Sequence, residues 1–187
     1  MSLFSKKAVV LLLTAVASLG AVTAYAAKAT GDAAPAKVSM LGGKFTFTLP
    51  KGFVANPLPS GTTGATGTMY ANEATKTVVI AAENNLPPGV TVKDNDGDFL
   101  DNTASEFDAA QRKALPDFNK LSEKSLTQKS TGLGLRQVDS TATQGGGKTL
   151  TSTLMAGSGN RMAVIQIISR PNDKAAHDTL VNQITGK

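Results

Sequence analysis

The stretch GKTLTSTLMAGSGNRMAVIQIIS, residues 147–169, decides the architecture. It reads as two strands, 148–156 and 160–169, joined by the small and polar residues Gly157-Ser158-Gly159-Asn160. So short a loop forces an antiparallel hairpin, because a parallel return needs a longer crossover. In the second strand Met162, Val164 and Ile168 face one way, and Ala163, Ile165 and Ile167 the other. A strand that is apolar on both faces lies inside a sheet covered on both sides.

Toward the N-terminus the strand pattern continues through 132–142 and 119–128. Turn signals stand at Gln144-Gly145-Gly146-Gly147 and Ser130-Thr131-Gly132. Before these strands the period changes, and the spacing predicts a helix from about Asp98 to Leu115. Phe99, Thr103, Phe107, Ala110 and Ala114 share one face of it. Asp98 is the expected cap, Asp101 falls in the positive first turn, Arg112 and Lys113 fall in the negative last turn, and Pro116 follows. Further upstream, Lys44 to Leu49 alternates with Phe45, Phe47 and Leu49 on the buried face, and Pro50 and Gly52 stop it. Met69-Tyr70 and Lys76 to Ala82 pair across Asn72-Glu73-Ala74-Thr75. Residues 56–68, NPLPSGTTGATGT, read as a long loop and an expected contact surface, since function concentrates on loops of this length.

Downstream, Pro171 ends the last strand, and Asn172 or Asp173 starts a closing helix with Ala176, Leu180 and Ile184 along one stripe. The order is strands, helix, four antiparallel strands, helix, with no internal repeat. That is an α+β fold with a central antiparallel sheet and helices packed on it.

The first residues have the three parts of a secretion signal. Lys6 and Lys7 are the basic region, and Val9 to Val16 is an apolar run interrupted only by Thr14. Ala24-Tyr25-Ala26 is the small-x-small pattern of a signal peptidase site, so cleavage is expected after Ala26. The apolar run is too short to span a bilayer as a helix, which needs ~20 residues. Cleavage leaves 161 of the 187 residues, enough for one domain with a substantial core. Residues 27–37, AKATGDAAPAK, read as a flexible lead-in, and 38–187 as a single domain.

The chain has no cysteine. That excludes disulfides, and it excludes a lipoprotein anchor, which is attached through a cysteine. A periplasmic location without lipid follows as the expectation. The formal charge of +5 includes two signal lysines and no signal acids, so the remainder is nearer +3. Lys and Arg are scattered, tryptophan is absent and there are two tyrosines, which is unlike a nucleic-acid interface. The mild basicity is compatible with weak contact to an anionic membrane surface or the cell wall.

Few residues suggest chemistry. His177 is the only histidine, and no G-x-S-x-G stands anywhere. Its place on the flank of the closing helix predicts a surface position. One histidine and no cysteine make no ordinary zinc set. Asp94, Asp96 and Asp98 in DNDGD are weak candidates for calcium, because an EF-hand loop begins this way. The loop fails at its later positions: Gly97 is fourth rather than sixth, Ser105 is twelfth, and Glu106 comes one place late. Gly147-Lys148-Thr149 has the last letters of a phosphate loop, but Ala142 stands where its first glycine belongs, and a strand follows instead of a helix. No catalytic residue, metal or cofactor is expected, and the residues that bind a partner are not apparent.

Leu41-Gly42-Gly43-Lys44-Phe45-Thr46-Phe47-Thr48-Leu49-Pro50 is similar to the opening strand of the DcrB family. The resemblance continues through the Met69 to Ala82 hairpin region, the long helix, and Met162-Ala163-Val164-Ile165-Gln166-Ile167, covering roughly residues 38–185. It implies the Mog1/PsbP-like fold, an antiparallel sheet sandwiched between helices. It also implies a periplasmic envelope protein in a family named for a requirement in phage adsorption, with relatives that act as chaperones for secreted effectors. The resemblance carries over no catalytic residue. The familiar enterobacterial members have a lipobox cysteine that this chain lacks, which argues against tethering.

The functional expectation is a non-catalytic binding or envelope-maintenance protein with an envelope protein as partner. The alternatives are a cell-wall glycan-binding or glycan-hydrolysing module, and a chaperone-like binder of an exported protein.

Overall fold

A computed structural model describes residues 33–58 and 64–187. The expected signal, with Ala24 and Ala26, lies outside the described residues. Nine strands and two α-helices are described, in the order β1 (Ala36–Met40), β2 (Phe45–Leu49), β3 (Val54–Asn56), β4 (Ala65–Asn72), β5 (Thr77–Asn85), α1 (Gly97–Ala114), β6 (Asn119–Thr127), β7 (Gly134–Gln144), β8 (Gly147–Ser158), β9 (Arg161–Ser169) and α2 (Lys174–Thr185). Seven strands form one antiparallel sheet in the order β3-β4-β5-β9-β8-β7-β6, and β1 and β2 make a separate hairpin.

The last strand of the chain, β9, is therefore central. It pairs with β8 through Leu154↔Ile165 and with β5 through Ala81↔Ile165. Its alternation divides the core as expected. Ala163, Ile165 and Ile167 join Leu180, Val181 and Ile184 of α2 and the β1–β2 hairpin. Met162, Val164 and Ile168 share the opposite cluster with Ala104 and Phe107 of α1. Each large side chain so buried contributes about 1.5–3 kcal/mol relative to leaving it exposed. The architecture is an α+β sandwich in which a β-hairpin shares one covering layer with a helix.

The turns follow from local chemistry. β7 and β8 are joined by only Gly145 and Gly146, at φ of 59° and 83°. A two-residue hairpin whose central residues both have positive φ matches the right-handed twist of its strands, and glycine adopts it without a Cβ penalty. Gly157 has a different reason. A Cβ there would lie 2.5 Å from Cε1 of Phe99 and 2.9 Å from Cγ2 of Val92, so its bare backbone is the seat for the start of α1.

Several expectations need correction. The strand β1 begins at Ala36, inside the expected lead-in, with Val38 and Met40 buried at period two. The loop placed at 56–68 is shorter: Ala65 to Thr68 belong to β4, held by pairing with Ala81 to Asn84 although their side chains carry no apolar pattern. The cap of α1 is Asp96, whose side chain accepts from the Phe99 amide at 3.1 Å, and Asp98 sits in the first turn. The buried stripe of α1 is Leu100, Thr103, Ala104, Phe107 and Gln111, while Ala114 is exposed. In α2 it is His177, Leu180, Val181, Ile184 and Thr185, while Ala176 is exposed.

Candidate functional site

The register brings three polar residues into one row across the sheet. Ser122 of β6 pairs with Asp139 of β7, and Asp139 pairs with Ser152 of β8. Opposed residues share a face, so all three point toward the α2 layer. Gln137, two residues before Asp139, shares that face, and so does Lys124, two after Ser122. Asp139 collects them all. Its carboxylate accepts from Ser152 at 2.6 Å, Ser122 at 2.7 Å, Gln137 at 2.7 Å and Lys124 at 3.2 Å. Burial opposes its ionisation, but the four donors outweigh burial and hold Asp139 at about 2.

His177 descends on this row from α2, only 2% exposed. The expected surface position is wrong because the helix turns the stripe 177–180–181–184 inward, with spacings of three and four. Nε2 of His177 lies 2.8 Å from Oγ of Ser152, and Nδ1 lies 3.0 Å from Oγ of Ser169. Burial lowers the imidazole pKa, more than nearby Asp178 and Asp139 raise it.

The proton positions follow. An ionised carboxylate can only accept, so Ser152 gives its single hydrogen to Asp139. Its oxygen is then left to accept, and Nε2 of His177 must be the protonated nitrogen. In the neutral ring Nδ1 then accepts from Ser169. This order is the reverse of a nucleophilic relay, in which histidine takes the serine proton. Ser152 is also only 2% exposed, and its hydroxyl hydrogen is already given to Asp139. The row locks α2 to the sheet. It does not activate a hydroxyl.

The row forms part of the wall of a cavity of about 410 Å³ between α2 and the face of β6–β8, with Ser122, Gln137, Ser152 and His177 in its lining. Leu121, Leu150 and Val181 are its apolar part, and Lys124, Lys174, Lys187, Asp139 and Asp178 its charged part. A second cleft, of about 390 Å³, lies between β1 and β4 over Ala81 and Glu83.

The acidic cluster before α1 does not converge. Asp94 bonds Lys44 at 2.8 Å and Ser158 at 2.6 Å, contacts that lower its pKa, Lys44 most. Asp96 caps α1, and Asp98 is exposed. Among the described residues no three histidine, cysteine or carboxylate side chains group to hold a metal. Gly147-Lys148-Thr149 opens β8, and Lys148 pairs with Asp117 at 2.7 Å. Among the described residues no helix is long and apolar enough to cross a membrane.

No family model and no curated protein matches the chain. Solved structures do. The solution structure of cyanobacterial PsbP (CyanoP) from Synechocystis sp. PCC 6803 superposes with a TM-score of 0.59 at 10% identity, over 83% of this chain and 94% of that one. The fold is PsbP-like. LpqN of Mycobacterium tuberculosis, described as involved in cell envelope biogenesis, matches with a TM-score of 0.50 at 14% identity, over 82% of this chain and 88% of that one.

Sequence reasoning missed Ser122, Asp139, Ser152 and Ser169. The signal was present in the strand register, because a turn at Gly145-Gly146 sets Asp139 opposite Ser152.

Proposed function

We propose that this chain is an exported, non-catalytic binding protein of the bacterial envelope, acting by contact with an envelope protein as members of the DcrB family would. The observation that carries the reading is the Asp139–Ser152–His177 row. It is where serine, histidine and carboxylate meet, and its hydrogens are committed within the protein. Ser152 gives its own to Asp139 inside the sheet, and the contacts of His177 with Ser152 and Ser169 hold α2 on the sheet. Export rests on the basic region, short apolar run and Ala24-Tyr25-Ala26 of residues 1–26, and the lack of cysteine leaves no site for a lipid. The remaining chain, from Ala27 on, is then a free periplasmic form. The LpqN fold match agrees with an envelope setting. A glycan-binding reading lacks support in the α2 cavity, whose lining has no aromatic ring on which a sugar could stack.

In-cell crosslinking of the tagged protein, followed by pull-down and mass spectrometry, tests the partner. One dominant envelope protein supports the reading. A cytoplasmic partner, or a turnover activity abolished by one substitution, overturns it. N-terminal sequencing of the purified periplasmic protein tests the cut, with Ala27 expected first.

A further inference from the structure

The cavity beside α2 points to a ligand of its own. Its two carboxylates are already engaged within the protein. Asp139 has four donors, including Lys124, and Asp178 pairs with Lys174. A cationic ligand would have to displace one of those lysines. The third lysine of the lining, Lys187, forms no ion pair among the described residues, and the Asn182 amide has no side-chain partner among them. His177 contributes no charge, since its ring is neutral and both nitrogens are bonded within the protein. The donors not engaged by a carboxylate are thus Lys187 and the Asn182 amide. Lys174, though paired with Asp178, keeps two further N–H groups that an anion could accept from.

The other part of the cavity is apolar. Leu150 and Val181 form its inner wall and Leu121 its rim. Leu121 is the one large hydrophobic side chain exposed among the described residues, at 52%. It is not exposed by chance, because the β6–β7 register slips between Lys120 and Ser122 and leaves Leu121 as the extra residue of a bulge. A bulge re-aims a side chain that the ladder would otherwise fix. Bulges recur beside binding sites for that reason. A lipophilic side chain is therefore held beside a lysine-lined cavity of small-molecule size.

We propose that this cavity binds an amphiphilic anion, with a phosphate-type head on Lys174, Lys187 and Asn182 and an alkyl part against Leu121, Leu150 and Val181. The proposal deepens the binding reading above by naming a ligand class. It is tested on purified protein, so its failure and the failure to find a protein partner are separate results.

Hexyl phosphate is the probe, with inorganic phosphate and hexanol as its two halves, titrated against the ¹⁵N-labelled protein and read by NMR. The expected result is a saturable shift confined to α2 and β6–β8, tighter for hexyl phosphate than for either half. The double variant Lys174→Gln/Lys187→Gln should weaken it about tenfold, two exposed charge contacts together being worth on the order of 1.4 kcal/mol. Its melting temperature should be unchanged, since both side chains are at the surface. No saturable shift, equal affinity for hexanol, or an undiminished affinity in the variant overturns the proposal.

Two sources of such a head group are then told apart by sedimentation with vesicles. Cosedimentation with phosphatidylglycerol-containing vesicles but not with phosphatidylcholine alone, lost in Leu121→Ser, identifies a lipid headgroup. Hexyl phosphate binding without cosedimentation identifies a soluble phosphate ester.

Discussion

Ser152 stands 2.8 Å from Nε2 of His177 yet gives its hydrogen to Asp139 at 2.6 Å, so the contact between serine and histidine runs from imidazole to hydroxyl. The direction matters for what a substitution does. Ser152→Ala leaves a buried Nε2–H without an acceptor and removes one donor from Asp139. An unpaired buried polar group costs about 1–3 kcal/mol. Urea unfolding should show a loss of that size, and a loss below about 0.5 kcal/mol would refute the assigned direction.

His177 should make the protein less stable in mild acid. Its folded pKa lies below the ordinary 6.5, chiefly through burial, so the unfolded chain takes up a proton that the folded one refuses. Stability is then full above 6.5 and falls as pH drops from there toward the folded value. Denaturant midpoints compared at pH 7.5 and pH 5 should fall, and the difference should shrink in His177→Gln. A midpoint that rises in acid would contradict the neutral ring.

Asp139 adds a second and more acidic loss. Its folded pKa of about 2 lies under the usual 3.8 despite burial, because Ser152, Ser122, Gln137 and Lys124 all donate to the charged form. This contribution is complete above 3.8 and vanishes as pH falls through about 2. It is on the order of 2 kcal/mol. Asp139→Asn should remove it, lowering stability at pH 7 and flattening the acid limb of the curve.

Gly157→Ala should lift the N-terminal end of α1. The new methyl would sit 2.5 Å from the Phe99 ring, and overpacking of this kind costs about 1–3 kcal/mol. Gly147→Ala serves as control: its Cβ would meet nothing within 4 Å, and it should leave the melting temperature nearly unchanged.

The sheet was legible because its information is periodic. Strand 160–169 alternates two apolar sets, and the glycine turns fix where the neighbouring strands end, so pairing and layering could be read from residue types alone. What escaped notice depends on relations the one-dimensional pattern does not contain. Helix α2 admits two stripes, through Ala176 or through His177, and small alanine makes the first look apolar. Only the hydroxyls of Ser152 and Ser169 on the facing strands let the second bury an imidazole at low cost. The cap at Asp96 was displaced from Asp98 because two aspartates two residues apart both satisfy the preference for an oxygen side chain. Strand β1 was hidden by the alanine- and lysine-rich segment that leads into it.

The position of β9 has a consequence for how the chain acquires its structure. Val78 meets Ile168 and Leu150 meets Ser169, so the one strand that joins the first half of the sheet to the second is among the last to be made. While synthesis proceeds, the early hairpins and the β6–β8 meander have no common partner, and the pairings of greatest sequence separation wait for the end. Such non-local closure is slow to nucleate. The two halves of the sheet can therefore close into a single body only once the final strand is in place.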